Sequence, residues 1–151
     1  MRRDYPDTEP TLGVSLTAVQ KITTFLMFEG KAEEAMRFYT SLFAESGISS
    51  MTRYGPGEAG PEGTVQLATF VLAGQEFKCI DSHMSHGFTF TPSMSLYVQC
   101  DADEEIERLY GALGEGGQVL MPLDSYDFSG KFGWVSDRFG VSWQLNLAGP
   151  S

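Results

Sequence analysis

The sequence predicts an α+β fold made of two βαβββ repeats, and three observations lead there. Thr23-Thr24-Phe25-Leu26-Met27-Phe28 precedes an amphipathic segment carrying Phe38-Tyr39-Thr40-Ser41-Leu42, and Ser95-Leu96-Tyr97-Val98-Gln99-Cys100 precedes one carrying Leu109-Tyr110-Gly111-Ala112-Leu113. Each half then closes in a glycine-turned hairpin, Ala73-Gly74-Gln75-Glu76-Phe77-Lys78 in the first and Phe139-Gly140-Val141-Ser142-Trp143-Gln144 in the second. The spacing is kept: Ser95 stands 72 residues after Thr23, and Gly140 stands 66 after Gly74. Two such units can share one strongly curved eight-stranded mixed sheet, with helices outside and a cup on the concave side.

Residues 1–20 form an N-terminal extension, broken by Pro6, Pro10 and Gly13. Residues 21–80 form the first repeat. Lys21–Phe28 reads as a strand, rich in β-branched and aromatic residues. Ala32–Phe43 reads as a helix, because Ala35, Met36, Tyr39, Leu42 and Phe43 recur at helical spacing while Glu33, Glu34 and Arg37 fall outside. Gly47 is expected to cap its end. Ile48–Tyr54 is a second strand, residues 55–63 a Gly/Pro loop, and Thr64–Leu72 with Gln75–Ile80 a hairpin. Residues 81–93 link the repeats.

The second repeat covers 94–147, followed by a C-terminal tail at 148–151. Met94–Cys100 is a strand, with Asp101 as N-cap for a helix over Asp103–Leu113. Gly116-Gly117 ends that helix. Gln118–Leu120 begins a strand, Asp124–Gly130 is a loop, and Phe132–Ser136 pairs with Val141–Leu147. Asp137-Arg138-Phe139-Gly140 supplies the turn.

Composition narrows the function classes. The 151 residues suit one domain, and 42% hydrophobic content supports a packed core. A net charge of −10 argues against nucleic acid or anionic membrane as partner, since phosphate binding needs clustered Lys and Arg. No apolar run approaches a membrane span, and the first residues lack a signal-peptide pattern, so a cytoplasmic location is expected. Cys79 and Cys100 sit in apolar runs and read as buried, reduced thiols. No Gly-x-Ser-x-Gly elbow and no phosphate-binding glycine motif follows a strand.

Phe25-Leu26-Met27-Phe28-Glu29-Gly30-Lys31-Ala32, Phe38-Tyr39-Thr40-Ser41-Leu42-Phe43, Phe88-Thr89-Phe90 and the closing Gly133-Trp134-Val135-Ser136-Asp137-Arg138-Phe139-Gly140-Val141-Ser142-Trp143-Gln144 resemble the PhnB-like branch of the glyoxalase/bleomycin-resistance (vicinal oxygen chelate) superfamily. The resemblance spans roughly residues 21–147. It implies paired βαβββ units, usually a homodimer, and a ligand cup lined by strands of both repeats. Members of this branch often carry a demethylubiquinone methyltransferase label. That activity is not expected here, because the chain has neither a recognisable cofactor-binding motif nor the alternating α/β order usual for such enzymes.

Metal-dependent relatives carry ligands on the first and last strands of each repeat. The resemblance places Thr23, Lys78, Ser95 and Gln144 at those positions. A cation and two hydroxyls are poor ligands for a divalent transition metal, so no metal and no cofactor are expected. His83 and His86, three apart in the linker, read as solvated loop residues.

The residues expected to bind a ligand are therefore Thr23, Phe25, Lys78, Ser95, Tyr97, Trp134 and Gln144. Lys78, Ser95, Tyr97 and Gln144 supply polar contacts; Phe25 and Trp134 supply walls. The leading expectation is metal-independent binding of a small, anionic molecule. A metal-dependent lyase, isomerase or dioxygenase is one alternative, and a non-catalytic dimeric scaffold another.

Overall fold

A computed structural model describes residues 20–148. Ten elements follow in order: β1 (Thr24–Phe28), α1 (Ala32–Leu42), β2 (Gly47–Arg53), β3 (Val65–Leu72), β4 (Gln75–Asp81), β5 (Ser95–Gln99), α2 (Asp103–Gly114), β6 (Gln118–Tyr126), β7 (Ser129–Ser136) and β8 (Ser142–Leu147). This is βαβββ twice, in an α+β fold.

The strands divide four and four, where one shared sheet was expected. The orders are β1-β4-β3-β2 and β5-β8-β7-β6, so β1 and β5 are both edge strands. The register repeats as well. Phe25 lies beside Lys78 on the parallel pair β1·β4, and Tyr97 lies beside Gln144 on the parallel pair β5·β8. What separates β1 from β5 is the linker. Phe90 packs on Phe28, ring centroids 5.2 Å apart, and with Thr24, Leu26, Ser95 and Leu96 lines a cavity of about 210 Å³ between the two edges.

One core serves both repeats. Ala35, Met36 and Tyr39 of α1 and Ile106, Leu109 and Leu113 of α2 are buried together with Phe70, Cys79, Trp143 and Leu145 from the sheets. Their spacing gives each helix one apolar stripe. Tyr39 and Phe43 both pack on Trp143, joining the first helix to the last strand.

Local chemistry differs from expectation at three ends. Gly47 does not cap α1; it opens β2, and Glu45 takes the left-handed conformation (φ 54°) instead. Asp101 does not cap α2: Ala102 is the N-cap, and the backbone N–H of Asp101 donates to Glu105 Oε1 at 2.7 Å. Residues 124–130 are not a loop. β6 runs on to Tyr126 through several register shifts, and the turn is only two residues long. Phe128 explains the extension, because it stacks on Tyr126 (5.5 Å) and meets Phe132 edge-on (5.0 Å), pinning the hairpin tip. Pro122 is accommodated because β6 is an edge strand.

Two hairpin turns form as read. Ala73 and Gly74 both adopt positive φ (49° and 83°), the geometry a two-residue turn requires. Gly140 (φ 94°) closes the other turn, its N–H donating to the Asp137 carbonyl at 2.9 Å.

Candidate functional site

Alternation along each strand gives each sheet one face toward the core and one away from it. On the second sheet the outer face carries Ser95, Tyr97 and Gln99 of β5, Ser142, Gln144 and Asn146 of β8, and Phe132 and Trp134 of β7. Three expected ligand residues meet there around Ser142. Ser95 Oγ lies 2.7 Å from Ser142 Oγ, Trp134 Nε1 donates to Ser142 Oγ at 2.8 Å, and Gln144 Nε2 donates to Ser95 Oγ at 3.2 Å. Ser142 is only 1% exposed beneath this network. Its role was missed in the sequence, although it aligns across the ladder with Ser95.

Tyr97 stands beside this cluster, 59% exposed and without a hydrogen bond among those of the described residues. With Ser95, Phe77 and Trp143 it lines a groove of about 500 Å³ along the free edge of β5.

The other expected residues lie on the first sheet. Phe25 is 53% exposed and is the ladder partner of Lys78. Lys78 Nζ donates to Thr69 Oγ1 at 2.8 Å; Thr69 faces it from β3. Asp81, three residues on from Lys78, does not pair with it. Its Oδ1 accepts the N–H groups of Gly30 and Ala32 at 2.8 and 2.9 Å, and its Oδ2 accepts that of Val65 at 2.9 Å. Asp81 thus caps α1 from 49 residues away, a contact invisible to local capping rules. Thr23 precedes β1, and its hydroxyl accepts from Gln20 Nε2 at 3.3 Å.

The seven expected residues therefore fall into two groups, Thr23, Phe25 and Lys78 at the first sheet and Ser95, Tyr97, Trp134 and Gln144 on the second. None of the three cavities of about 590, 210 and 500 Å³ is lined by Lys78 or Gln144. The two histidines also separate: His86 Nε2 lies 2.8 Å from Ser82 Oγ, whereas His83 meets the Tyr54 ring edge-on.

The sequence model of the family described as 3-demethylubiquinone-9 3-methyltransferase matches residues 20–146. The chain belongs to this family. Within the 3-demethylubiquinone-9 3-methyltransferase family, the chain is 64% identical to a solved Bacillus cereus protein described as a putative 3-demethylubiquinone-9 3-methyltransferase, PhnB protein. The match covers 85% of this chain and all of that one, with a TM-score of 0.84. Protein YjdN of Escherichia coli K12 is 24% identical over 83% of this chain and 94% of its own length. The genomically encoded fosfomycin resistance protein FosX of Listeria monocytogenes is 11% identical, with a TM-score of 0.55 over 88% of this chain and 96% of that one. The fold is thus glyoxalase-like.

Thr23, Lys78, Ser95 and Gln144, the four positions expected to correspond to ligands in metal-using relatives, are each hydrogen-bonded within the chain. Lys78 presents a cation, Ser95 and Gln144 are hydrogen-bonded to each other, and Thr23 offers a hydroxyl already paired with Gln20. Among the described residues, no three His, Cys, Asp or Glu side chains are grouped to hold a metal. No helix among them is long and apolar enough to cross a membrane.

Proposed function

We propose that the protein binds a small anionic molecule, without a metal or other cofactor, between the outer faces of its two sheets, and that a homodimer completes the site. Lys78 is the observation that carries this reading. It is a half-buried cation on an outward face, its recorded partner is the neutral Thr69 hydroxyl, and it takes part in no ion pair among the described residues. A cation held this way retains N–H groups for an anionic ligand.

The Ser95–Ser142–Gln144 network offers neutral donors and acceptors, and Trp134 a flat wall. In one chain it is remote from Lys78. A second copy related by a twofold axis brings one chain's first sheet toward the other's second sheet. The exposed rings of Phe25 and Tyr97 support that arrangement. Methyl transfer, named in the family description, is not part of this proposal, since the βαβββ order supplies no glycine-rich strand-to-helix turn for a nucleotide-like cofactor.

A thermal-shift screen with phosphate, methylphosphonate and small carboxylates tests the binding. At 100 times its Kd a ligand adds about 2.7 kcal/mol of stability, and Lys78→Ala should abolish that gain. An anion that stabilises wild type and Lys78→Ala alike would sink the Lys78 assignment. Light scattering coupled to size exclusion checks the dimer.

A further inference from the structure

A cavity of about 590 Å³ borders the first sheet at Phe25 and contains neither Lys78 nor Gln144. It sits where the end of β1, the start of α1, the linker and the β7–β8 turn converge. Its walls are aromatic, with Phe25, Phe88 and Phe90 among them. Such a volume suits one small organic molecule.

Its rim holds two carboxylates, Glu29 and Glu34, and two cations, Lys31 and Arg138, that share Glu34. Arg138 Nη2 lies 3.5 Å and Lys31 Nζ 3.7 Å from the Glu34 carboxylate oxygens, both longer than a charge-assisted hydrogen bond of about 2.7–2.9 Å. Arg138 is oriented independently of Glu34. Its guanidinium carbon lies 4.3 Å from the centroid of the Phe38 ring and 4.5 Å from that of Phe139. Stacking of this kind fixes the plane of the donor fork and leaves its N–H edge for a planar acceptor. The N-terminus of α1 is not the anion receptor, because Asp81 already takes the N–H groups of Gly30 and Ala32.

We propose that this cavity is a second binding site, for an apolar or aromatic carboxylate, whose body lies against Phe25, Phe88 and Phe90 and whose carboxylate replaces that of Glu34 on Arg138 and Lys31. Glu34 is half exposed and holds both cations at long range, so it marks the position a ligand carboxylate takes. The site shares Phe25 with the face that carries Lys78 but includes neither Lys78 nor Thr69.

Calorimetric titration of the full chain with phenylacetate, and with 2-phenylethylamine as the cation of similar shape, tests it. Phenylacetate should bind saturably at one site per chain, and more tightly than the amine. Arg138→Gln should weaken binding by about tenfold or more, as for loss of a charge-assisted pair. Glu34→Gln should tighten it several-fold, a gain that misfolding does not produce. Phe88→Ala, at a 64% exposed position, should weaken binding while leaving the melting transition in place. The proposal is overturned by the absence of saturable phenylacetate binding, by preference for the amine, which would make Glu29 and Glu34 the recognising groups, or by unchanged affinity in Glu34→Gln.

Discussion

The Tyr39 hydroxyl of α1 donates a 2.5 Å hydrogen bond to the carboxylate of Asp137, 98 residues further along the chain. The same oxygen accepts from Trp143 Nε1 at 2.8 Å, and the other accepts the N–H groups of Phe139 and Val141. One buried aspartate thus fastens the first helix, the last turn and the last strand. Tyr39→Phe should cost about 1–3 kcal/mol, the usual loss for a buried bond to a charged group. Asp137→Ala should cost more, since it strands four donors. Denaturant unfolding of both variants and the double variant measures this, and a Tyr39→Phe effect of a few tenths would remove the pin from the account. Burial, then the Asp137 charge, drives the Tyr39 phenol far above its ordinary range, so it stays a donor wherever the protein is folded.

Asp81 is the counterpart in the first repeat, and Asp81→Ala leaves the N–H groups of Gly30, Ala32 and Val65 without their acceptor. A loss of about 2–5 kcal/mol is expected. Amide exchange at Gly30 and Ala32 should quicken selectively; uniform quickening across the chain would mean that the loss is global rather than a lost helix cap.

Acid should weaken a surface cluster. Hydrogen bonds from Arg53 and then Arg37 lower the Glu33 pKa from 4.5 to about 2. A depressed carboxylate contributes stability above its unfolded pKa and loses it as pH falls toward the folded one. The contribution is therefore complete above about pH 5 and drains toward pH 2. Solvent exposure holds it to about 1 kcal/mol or less. Comparing wild type with Glu33→Gln at pH 6 and pH 3 checks this: the difference between them should shrink at the lower pH.

Both thiols should be quiet in the native state. Burial pushes Cys79 up to about 12 and Cys100 up to about 11, so little thiolate exists at neutral pH. A disulfide reagent at pH 8 should react with neither until denaturant unfolds the chain. Rapid modification of the folded protein would contradict the burial of both.

The repeat was legible because local signals carried it. Helical spacing in α1 and α2, and glycines at positions needing positive φ such as Gly74 and Gly140, are properties of short segments. That Ser95 and Gln144 share a face follows from the parallel pairing of β5 with β8, which joins segments 47 residues apart and is not visible in either one alone. What escaped depends on distant contacts. Asp81 and Asp137 look like turn residues until the backbone N–H groups they receive are known. The division into two sheets also involves distant partners, since Phe90 of the linker packs on Phe28 of β1. The cavity around Arg138 likewise joins four segments that no sequence window contains.

The two repeats differ most in one connection. Between β2 and β3 the chain spends residues 54–64, while the equivalent strands β6 and β7 are joined by Asp127 and Phe128 alone. The second repeat is in effect a natural deletion experiment on the first. A βαβββ unit thus closes without the longer excursion, and replacing residues 55–63 by a two-residue turn is expected to leave β2 paired with β3.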